Sequence, residues 1–350
     1  MKVAQVISRS GCSSGGSIQA LLLARSLADR GVDSLFVSKG GDCALKARRM
    51  GVKSLSVSMS WSPKGVLEFV KALKRFDVLH AHKGKALSFC LLHVLITGKG
   101  RVFANRGVSF PLSWSNRWKY AIPLTRGVIC VSFGVKRLLM GEGIRGEKLY
   151  VVYGSLDERF FNPRPKPLCL KELGLGSAFY VGLVGNFRPW KGHLILARAL
   201  SFVRRSIPGA VMLLAGKEKR GILEKVEELL GGAFVSLGYR EDVERVMGAM
   251  DVLVNASTEG EGVPGVIREA MALGIPVVAS SLDGNREMVR HGKNGLLFPV
   301  GDADALSRLI SLLLLTPALG KRLGVGGRRF ARRFTGAERA RRMLRIYEGG

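Results

Sequence analysis

The sequence predicts an α/β protein with two doubly wound, Rossmann-like parallel sheets. Short apolar runs rich in Val, Ile and Leu alternate with segments whose apolar residues recur at helical spacing, which is the pattern of repeated βα units. The alternation starts at Val3 and starts again at Phe179. In addition, the 350 residues exceed the size of one ordinary hydrophobic core. These observations together favour two domains of the same kind.

A proline-rich segment separates the two series. The sequence N-P-R-P-K-P-L alternates prolines with other residues, which disfavours both a helix and a central strand. Beyond Asp302 the pattern is helical and ends in an Arg-rich tail. We therefore expect four parts: an N-terminal domain at 1–161, a linker at 162–168, a second domain at 169–335, and a C-terminal helix at 336–350 that packs back on the first domain.

Seven strands are expected in the first domain and six in the second. The first series, which suffices for a complete doubly wound sheet, is expected at 3–8, 34–38, 54–57, 77–80, 101–105, 127–131 and 149–153. The second series is expected at 179–184, 210–215, 233–237, 251–255, 275–279 and 296–298.

The charge of the chain is strongly positive and unevenly distributed. The formal net charge is +28, and residues 1–150 hold 25 Lys and Arg against 7 Asp and Glu. A basic first half indicates a polyanionic partner, which could be nucleic acid, an anionic lipid surface or a phosphorylated acceptor. Charge alone does not choose among these three.

Cysteine usage and hydropathy indicate the cellular compartment. The five cysteines are odd in number and widely spaced, with no C-x-x-C pair, which argues against a disulfide framework or a zinc site and favours a reducing compartment. No apolar run is long enough to span a bilayer, and the opening K-V-A-Q-V-I-S does not have the pattern of a signal peptide. We expect a cytoplasmic protein, at most peripheral on the inner face of the cytoplasmic membrane.

Ligands of open parallel sheets bind outside the carboxyl ends of the strands, so the loops that follow the strands are the first candidates for a binding site. The loop Ser10–Ser17 contains Gly15 and Gly16 and precedes a helix expected at 18–30, an arrangement suited to an anion. It lacks a full G-x-G-x-x-G, and the second strand ends in Ser38-Lys39 without an acidic residue for a ribose. Both departures weaken a dehydrogenase interpretation.

Two histidines follow the fourth strand in the segment H-A-H-K-G-K. His80 and His82 share one face of an extended backbone, and the outer one is expected nearer the ligand. No third residue has the spacing of a metal ligand, so we expect no metal site. We favour His82 as a neutral hydrogen-bonding group, with His80 as the alternative.

Cations open the second domain in V-G-N-F-R-P-W-K-G-H (184–193). Lys191 stands just before an expected helix, whose N-terminus itself favours anions. Arg188 adds a second cation three residues earlier. At about 4 Å and an effective dielectric near 20, one cation–phosphate contact contributes roughly 4 kcal/mol before desolvation. This segment therefore predicts a pyrophosphate site.

Two glutamates frame the segment 255–280. Glu261 is expected on a glycine-rich loop and Glu269 about one turn inside the following helix, since eight positions separate them. Gly262 exposes backbone N–H groups where that helix begins. Carboxylates accept hydrogen bonds from hydroxyl groups and can hold a diol with both oxygens. Sugars and ribose both present such diols.

Taken together, these segments resemble retaining glycosyltransferases of the GT-B fold, in the large family-four group that uses nucleotide-sugar donors. The matching pieces cover nearly the whole chain: the Gly15-Gly16 loop, D-V-L-H-A-H, V-I-C-V-S-F-G-V, K-L-Y-V-V-Y-G-S-L-D, F-R-P-W-K-G, E-G-V-P-G-V-I-R-E-A-M-A-L-G-I-P-V-V-A-S and G-N-R-E-M-V-R-H-G-K-N-G-L-L-F-P-V-G-D. The resemblance implies two Rossmann-like domains that face each other across a cleft.

The resemblance also implies roles for individual residues. Glu261 would contact the hydroxyls of the donor sugar, and Glu269 the ribose of the nucleotide. His82 would lie near the sugar and the acceptor. Further donor contacts would come from the diphosphate-binding Arg188 and Lys191, from the glycines Gly15 and Gly16, from the backbone around Gly262 and Val263, and from the base-binding loops at Gly216 and Tyr239. No cofactor or metal would be required beside the nucleotide sugar, and retention would follow the family's front-face route.

The chain departs from the family pattern at three places. Many relatives place an arginine where this chain has Asn186, and Arg188 is the candidate to replace it. Pro264 stands where many relatives have a glycine, and it removes an N–H donor. Asp302-Ala303-Asp304 resembles the metal-binding D-x-D of transferases of another fold, but its position before a long helix favours N-capping.

The acceptor is expected to be a lipid-linked, lipopolysaccharide-core or other cell-envelope glycan. The basic first half and the aromatic-basic segment 111–120 motivate an anionic membrane surface as partner. One alternative is a nucleotide-sugar epimerase of the same fold, which would consume the donor without an acceptor. Another is a basic nucleic-acid-binding protein, but the cations are dispersed and no nucleic-acid motif is present, so no specific nucleic acid is expected.

Overall fold

The computed structural model describes residues 1–12, 14–161 and 178–349, with the side chain of Ser115 excluded. The chain forms two compact units. Unit 1 contains Met1–Ser155 together with the described residues from Phe334 onward, and unit 2 contains the described residues of Leu156–Arg333. The predicted linker 162–168 and residues 169–177 of the predicted second domain lie outside the described residues.

Unit 1 is built on a seven-stranded sheet in which every pairing is parallel. The strands are β1 Lys2–Val6, β2 Asp33–Ser38, β3 Ser54–Ser56, β4 Val78–Ala81, β5 Arg101–Arg106, β6 Thr125–Cys130 and β7 Leu149–Val151. Their order across the sheet is β3-β2-β1-β4-β5-β6-β7. The order reverses between β1 and β4, so a crevice opens at the carboxyl ends of these two strands.

Seven helices of unit 1 are described. They are α1 Gly15–Ala28, α2 Asp42–Arg49, α3 Pro63–Leu73, α4 Gly84–Thr97, α5 Trp114–Ala121, α6 Phe133–Gly141 and α14 Gly336–Gly349. Helices α3, α4 and α6 contribute Phe69, Phe89 and Leu139 to the core on one face of the sheet. On another side of the sheet, α1 and α14 pack together, and α14 contributes Met343 and Tyr347 to that core. Because the sheet is covered in this way, a central strand such as β4 is buried on both faces, whereas the edge strand β3 is exposed.

Unit 2 has a six-stranded parallel sheet. The strands are β8 Phe179–Val184, β9 Ala210–Ala215, β10 Phe234–Ser236, β11 Val252–Asn255, β12 Val277–Ser280 and β13 Leu296–Phe298. Their order is β10-β9-β8-β11-β12-β13, so the reversal falls between β8 and β11. Two parallel-sheet, Rossmann-like units confirm the predicted fold class.

Helices cover the unit 2 sheet as well. They are α7 His193–Val203, α8 Arg220–Leu230, α9 Val243–Gly248, α10 Gly265–Leu273, α11 Asp283–Met288, α12 Ala303–Leu315 and α13 Pro317–Ala331. Leu196, Val226 and Leu306 belong to one continuous core with the strands. Helix α13 contacts α10 closely, because a β-carbon at Gly324 would lie 2.1 Å from the carbonyl oxygen of Gly274. Glycine is required there by space rather than by conformation.

The boundaries of the two units differ from the expected ones by a few residues. The division falls after Ser155, six residues before the expected end of the first domain. The reason lies in Arg159, whose guanidinium donates to the carbonyl of Glu241 at 2.8 Å and lies 3.0 Å from the carboxylate of Glu244. These contacts hold residues 156–161 to unit 2. Helix α14 lies in unit 1.

The length and hydropathy of the helices show whether one of them could span a membrane. Among the described residues, no single helix is both long enough and apolar enough to cross a bilayer. One sharply bent pair, Ala303–Leu315 with Pro317–Gly349, meets the criteria of length and composition together. Leu306 and Ile310 of that pair are fully buried in the core of unit 2.

Candidate functional site

The candidate residues of unit 2 lie at the carboxyl ends of β8 and β11. Lys191 follows β8 in a short 3-10 helix, Pro189–Lys191, and Glu261 lies on the loop after β11. These are the two strands between which the sheet order reverses. Ligands of doubly wound sheets bind in the crevice at this reversal. The group formed by the loops after β8, β9 and β11 is called the unit 2 site below.

An ion pair joins the two loops. The ammonium of Lys191 donates a hydrogen bond to Oε1 of Glu261, and the hydroxyl of Ser257 donates to the same oxygen at 2.7 Å. The side chains of Glu261 and Lys191 are 10% and 26% exposed. A pair so shielded from solvent is stronger than one on an open surface. The predicted anion-binding lysine and sugar-binding glutamate are therefore in direct contact.

Backbone contacts fix the separation of the same loops. The backbone N–H of Thr258 donates to the carbonyl of Trp190 at 2.8 Å. Gly192 has φ +75°, and a β-carbon there would lie 2.0 Å from the carbonyl oxygen of Ala256. Only glycine fits both the left-handed backbone and the contact. Lys191 thus occupies a defined position beside the loop that holds Glu261.

The loop after β9 belongs to the same group. A β-carbon at Gly216 would lie 2.1 Å from the carbonyl oxygen of Gly185, so the ends of β8 and β9 touch through backbone. The side-chain oxygen of Asn186 accepts from the N–H of Lys217 at 3.0 Å. Asn186 therefore ties two loops together where the family pattern has an arginine. Tyr239 is half exposed, with the ammonium of Lys217 5.7 Å from its ring centroid.

Glu269 lies in the first turns of α10, as its spacing predicted. Its carboxylate folds back toward the start of the helix, because a β-carbon at Gly265 would lie 3.3 Å from Oε1. Burial raises the pKa of Glu269 above its ordinary value, and the positive charges of Arg268 and Arg159 oppose that rise. A partly desolvated carboxylate at a helix N-terminus is well suited to accept two hydroxyl hydrogen bonds.

Helix α11 packs against the loop 260–264, which precedes α10. A β-carbon at Gly284 would lie 2.1 Å from the carbonyl oxygen of Gly262. The hydroxyl of Ser280 donates to the carbonyl of Ser257 at 2.6 Å, and the side-chain amide of Asn285 donates to Ser280. All three residues are buried. The backbone around Gly262 and Val263 is therefore held rather than free to adapt.

Arg188 differs from Lys191 in its surroundings. It caps the 3-10 helix through its backbone, its side chain is exposed, and it forms no ion pair within the part of the chain that the structure describes. The replacement of the arginine missing at Asn186 by Arg188 stays a prediction.

The candidate residues of unit 1 lie at its own reversal, after β1 and β4. Gly15 and Gly16 form the first turn of α1, three residues earlier than the helix expected at 18–30, because Ser14 caps the helix by accepting from the N–H of Ser17. A β-carbon at Gly16 would lie 3.6 Å from the ammonium of Lys83. Lys83 directly follows His82 in the sequence. The structure thus adds a cation to the glycine turn.

Both histidines of the H-A-H segment are buried. Their ring centroids are 4.3 Å apart. Burial lowers the pKa of His80 to about 3, and burial together with the neighbouring His80, Arg339 and Lys83 lowers that of His82 well below its ordinary value. Both rings are therefore neutral near pH 7, the state expected for His82.

Sequence reasoning did not single out Ser257, Lys83 or Arg159. Ser257 stands two residues beyond β11 and donates to Glu261, Lys83 lies beside Gly16, and Arg159 is a charged neighbour of Glu269. The first two had a usable signal, since each is a polar residue in the loop just after a strand at the sheet reversal. Arg159 had none, because its contact depends on tertiary packing of the segment 156–161.

Asp302 is the N-cap of α12, as predicted. Its carboxylate accepts from the N–H of Ala305 at 2.8 Å. Within the described residues, no group of three or more His, Cys, Asp or Glu side chains lies close enough together to hold a metal ion. Four of the five cysteines are described, and each is a buried free thiol.

Comparison with known proteins defines the class. The family model described as Glycosyltransferase Family 4 matches residues 13–160, and the one described as Glycosyl transferases group 1 matches residues 178–315. With the two Rossmann-like sheets, these matches define a glycosyltransferase of the GT-B fold. The chain belongs to the family-four group of these enzymes, and the predicted family is confirmed.

Individual relatives agree with this assignment. The UDP-Gal:alpha-D-GlcNAc-diphosphoundecaprenol alpha-1,3-galactosyltransferase of Escherichia coli is 25% identical over 273 residues, 71% of this chain and 70% of the relative. The lipopolysaccharide core biosynthesis glycosyltransferase LpsE of Rhizobium meliloti is 33% identical over 147 residues, 41% of this chain and 42% of the relative. Relatives thus occur in lipid-linked and lipopolysaccharide biosynthesis.

A solved structure shares the fold over the full length. HepE of Anabaena, crystallised in complex with UDP and glucose, has a TM-score of 0.87 and 22% identity, and the match covers 100% of both chains. This likeness establishes the fold of the present chain.

Proposed function

We propose that the protein is a retaining glycosyltransferase that moves a sugar from a nucleoside-diphosphate sugar to a lipid-linked, lipopolysaccharide-core or other cell-envelope glycan. The observation that carries the proposal is the contact between Lys191 and Glu261 at the reversal of the unit 2 sheet. The contact brings together a cation, which is suited to a phosphate, and a carboxylate, which is suited to hydroxyl groups. A sugar diphosphate has those two groups adjacent to each other.

The proposed roles follow the chemistry of each side chain. In unit 2, Lys191 and the exposed Arg188 neutralise the diphosphate. In unit 1, the glycine turn at Gly15 and Gly16 is assigned to an anionic group of the substrates. Glu261 accepts from hydroxyls of the sugar, and His82 accepts or donates at the reacting end. In unit 2 the remaining donor contacts are assigned to Glu269 for the ribose, to Gly262 and Val263 for the sugar, and to Gly216 and Tyr239 for the base.

Retention of configuration is proposed through attack on the same face from which the diphosphate leaves. The bond between C1 of the sugar and the diphosphate oxygen breaks, the acceptor oxygen bonds to C1, and the acceptor proton passes to the departing diphosphate oxygen. No protein nucleophile is needed in this route, and the cations stabilise the charge that develops on the leaving group. The anomeric configuration of the product, measured by NMR, decides between retention and inversion.

The donor is tested by thermal unfolding with a panel of UDP-, GDP- and ADP-sugars. A ligand at 100 times its dissociation constant stabilises the folded protein by about 2.7 kcal/mol, so the correct donor raises the unfolding temperature. UDP-sugars are the first choice, because HepE binds UDP and the Escherichia coli relative is named for UDP-Gal. No shift with any donor would contradict the proposal, and donor consumption without an acceptor would indicate an epimerase.

Glu269→Ala tests the nucleotide part of the site. Loss of a charged hydrogen-bond acceptor removes about 1.5 to 3 kcal/mol, so the dissociation constant for the donor is expected to rise roughly tenfold to a hundredfold. Turnover at saturating donor should change less. Isothermal titration with the donor or the free nucleoside diphosphate measures the effect, and Glu228→Ala on the exposed side of α8 is the matched control.

An anionic membrane surface is proposed as a partner of unit 1. Trp114 and Trp118 lie one turn apart on α5 and are 88% and 51% exposed, and the ammonium of Lys119 lies 5.9 Å from the ring centroid of Trp118. Exposed tryptophans with cations beside them are typical of helices that lie in the membrane interface. An acceptor carried on a lipid would then be reached at the cytoplasmic face of the membrane.

Flotation with phosphatidylglycerol vesicles tests this surface. We expect salt-sensitive binding of the full chain that the double change of Trp114 and Trp118 to Ala abolishes. Trp61→Ala removes another exposed tryptophan of unit 1 and should leave binding unchanged. Binding that neither salt nor the double change affects would refute a role for α5.

A further inference from the structure

Four buried side chains form a continuous hydrogen-bond chain inside unit 1. The hydroxyl oxygen of Tyr347, on α14, lies 2.7 Å from Nδ1 of His80, on β4. The side-chain amide of Gln5 on β1 donates to the same hydroxyl at 3.2 Å. Nε2 of His82 lies 2.7 Å from Oε1 of Gln5. Gln5 and His80 are register partners in the sheet, so neighbouring strands hold the middle of the chain.

The amide of Gln5 gives this chain a direction. Its oxygen can only accept, so His82 donates from a protonated Nε2. The amide nitrogen of Gln5 donates to the hydroxyl oxygen of Tyr347. The hydroxyl proton of Tyr347 can then be donated to Nδ1 of His80. Because a neutral imidazole carries one proton, Nδ1 of His82 is an acceptor. The tautomer of His82 therefore follows from the orientation of the Gln5 amide.

Nδ1 of His82 is buried and has no hydrogen-bond partner among the described residues. A buried acceptor without a partner is costly, and a donor from a ligand would remove that cost. A hydroxyl of the sugar or of the acceptor has the required donor. The ring is fixed on its other side by Gln5, so the free nitrogen has a defined direction.

Helix α14 is anchored where it supplies Tyr347. The ring of Tyr347 packs edge-on against Phe103, with centroids 5.1 Å apart. Two turns earlier, the guanidinium of Arg339 donates to the backbone and side-chain oxygens of Gln19 on α1 at 2.7 and 2.9 Å. The charge of Arg339 also disfavours protonation of both histidines, as their lowered pKa values indicate.

We propose that Tyr347 is a positioning residue for His82. Acting through Gln5, it holds His82 in the tautomer with Nε2 protonated and leaves Nδ1 as the acceptor for a substrate hydroxyl. The inference rests on the proposed function, in which His82 contacts the substrate. Tyr347 of α14 thereby takes part in the chemistry of unit 1. If Tyr347 served packing alone, its hydroxyl group would not be needed.

The tautomer is measured directly on the intact protein by two-bond proton–nitrogen NMR of histidine side chains. The signals of His82 are assigned by their loss in His82→Gln. We expect the pattern of a protonated Nε2 and an unprotonated Nδ1, and in Tyr347→Phe we expect a mixture of the two tautomers. A protonated Nδ1 in the unchanged protein would overturn the inference, whatever the Tyr347→Phe variant shows.

Kinetics supply the second test. Tyr347→Phe is expected to lower kcat about tenfold, while KM for the donor changes by less than about twofold. Because the hydroxyl acts through His82, adding Tyr347→Phe to His82→Ala should cause no further loss. Phe103→Leu disturbs the same aromatic contact without removing the hydroxyl, and it should lower the unfolding temperature with kcat kept. Additive losses in the double variant would indicate a merely structural role and overturn the inference.

The two proposals fail in different ways. If no nucleotide sugar binds or is consumed but the tautomer of His82 is as expected and shifts in Tyr347→Phe, the proposed function is wrong and the hydrogen-bond chain stands. If transfer occurs and Tyr347→Phe leaves both kcat and the tautomer unchanged, only the present inference is wrong.

Discussion

Lys191 and Glu261 neutralise each other before any ligand is bound. Their hydrogen bond is shielded on one side by Ser257, which donates to the same carboxylate oxygen. An ammonium has three donors, so Lys191 can keep Glu261 while contacting a phosphate. The pair therefore stabilises a partly buried cation, and in the proposed function it orients that cation for the diphosphate of the donor.

Replacing Glu261 by Gln tests the role of the carboxylate charge. The change keeps the shape but removes the charge, so Lys191 loses its partner and a sugar hydroxyl loses an anionic acceptor. At about 1.5 to 3 kcal/mol for a charged hydrogen bond, kcat should fall roughly tenfold to a hundredfold. Glu259→Gln, an exposed acid on the same loop, is the control and should keep full turnover. Equal rates for both variants would show that Glu261 has no role in transfer.

The buried histidines of unit 1 predict a loss of stability in acid. The pKa of His80 falls from 6.5 to about 3 on folding, so between these values the unfolded chain binds a proton that the folded chain does not. Stability is complete above about pH 6.5 and falls as the pH drops, by up to about 1.4 kcal/mol per pH unit for each such group. Urea unfolding of the protein at about pH 7 and about pH 5 measures the slope.

His80→Asn serves as the comparison for this slope. The variant keeps a side-chain acceptor for Tyr347 but cannot take up a proton in this range. Its free energy of unfolding should depend less on pH than that of the unchanged protein, although carboxylates contribute equally to both. Identical slopes would mean that His80 does not contribute.

Prediction from sequence gave the correct place in the fold for residues whose position follows from chain order alone. Lys191, Glu261 and Glu269 lie at the strand ends and the helix start where they were expected, because each stands at a fixed distance from such a boundary. Their roles in donor binding stay predictions. Gln5 and Tyr347 were not found, because a polar residue in an apolar strand and a tyrosine in an Arg-rich helix acquire meaning only when two distant segments pack together.

At the scale of elements, glycine sets the spacing of the loops in the unit 2 site. Gly192→Ala would place a methyl group 2.0 Å from the carbonyl oxygen of Ala256 in a left-handed backbone conformation. We expect lower stability and much weaker donor binding, because Lys191 would move with the loop. Gly231→Ala imposes the same backbone strain in open space, at a cost of about 1 to 2 kcal/mol, and should leave binding intact. Thermal unfolding with and without UDP separates the two effects.

The start of α12 tests the resemblance to a metal-binding D-x-D. Asp302→Ala removes the N-cap and should cost about 1 kcal/mol, a fall of roughly 2 to 4 °C in the unfolding temperature. Asp304→Ala removes an exposed acid of the first turn and should cost less. Neither change should affect transfer. Loss of activity in both variants, restored by a divalent cation, would favour the metal-binding alternative.

The bounds of the strands were easier to predict from the sequence than the order of the strands across each sheet. Strands such as β8 and β9 are buried on both faces, so their apolar runs fix the bounds, which were predicted to the residue. The pairing order across each sheet depends on which strands meet after helices have crossed over, and no local pattern contains that information. The reversals beside β1 and β8 therefore became visible only in the structure.

At the scale of the molecule, both units repeat one plan. Each has a parallel sheet whose order reverses beside its first strand, and in each the candidate residues follow the strands on either side of that reversal. The basic character is concentrated in residues 1–150, which belong to unit 1. The proposed division of labour, with the nucleotide on unit 2 and an anionic surface beside unit 1, agrees with this distribution.

Helix α14 gives the molecule a particular order of assembly during synthesis. Residues 1–155 leave the ribosome early, but their core still lacks Ala340, Met343 and Tyr347, which follow after all of unit 2. Until α14 is synthesised, the apolar surface of unit 1 that α14 covers stays exposed. Exposed apolar surface of this kind is prone to aggregation and is where chaperones act. The packing of α14 supplies both the missing apolar side chains and the hydrogen bond to His80. A chain interrupted before α14 would lack both that part of the core and the hydrogen bond to His80.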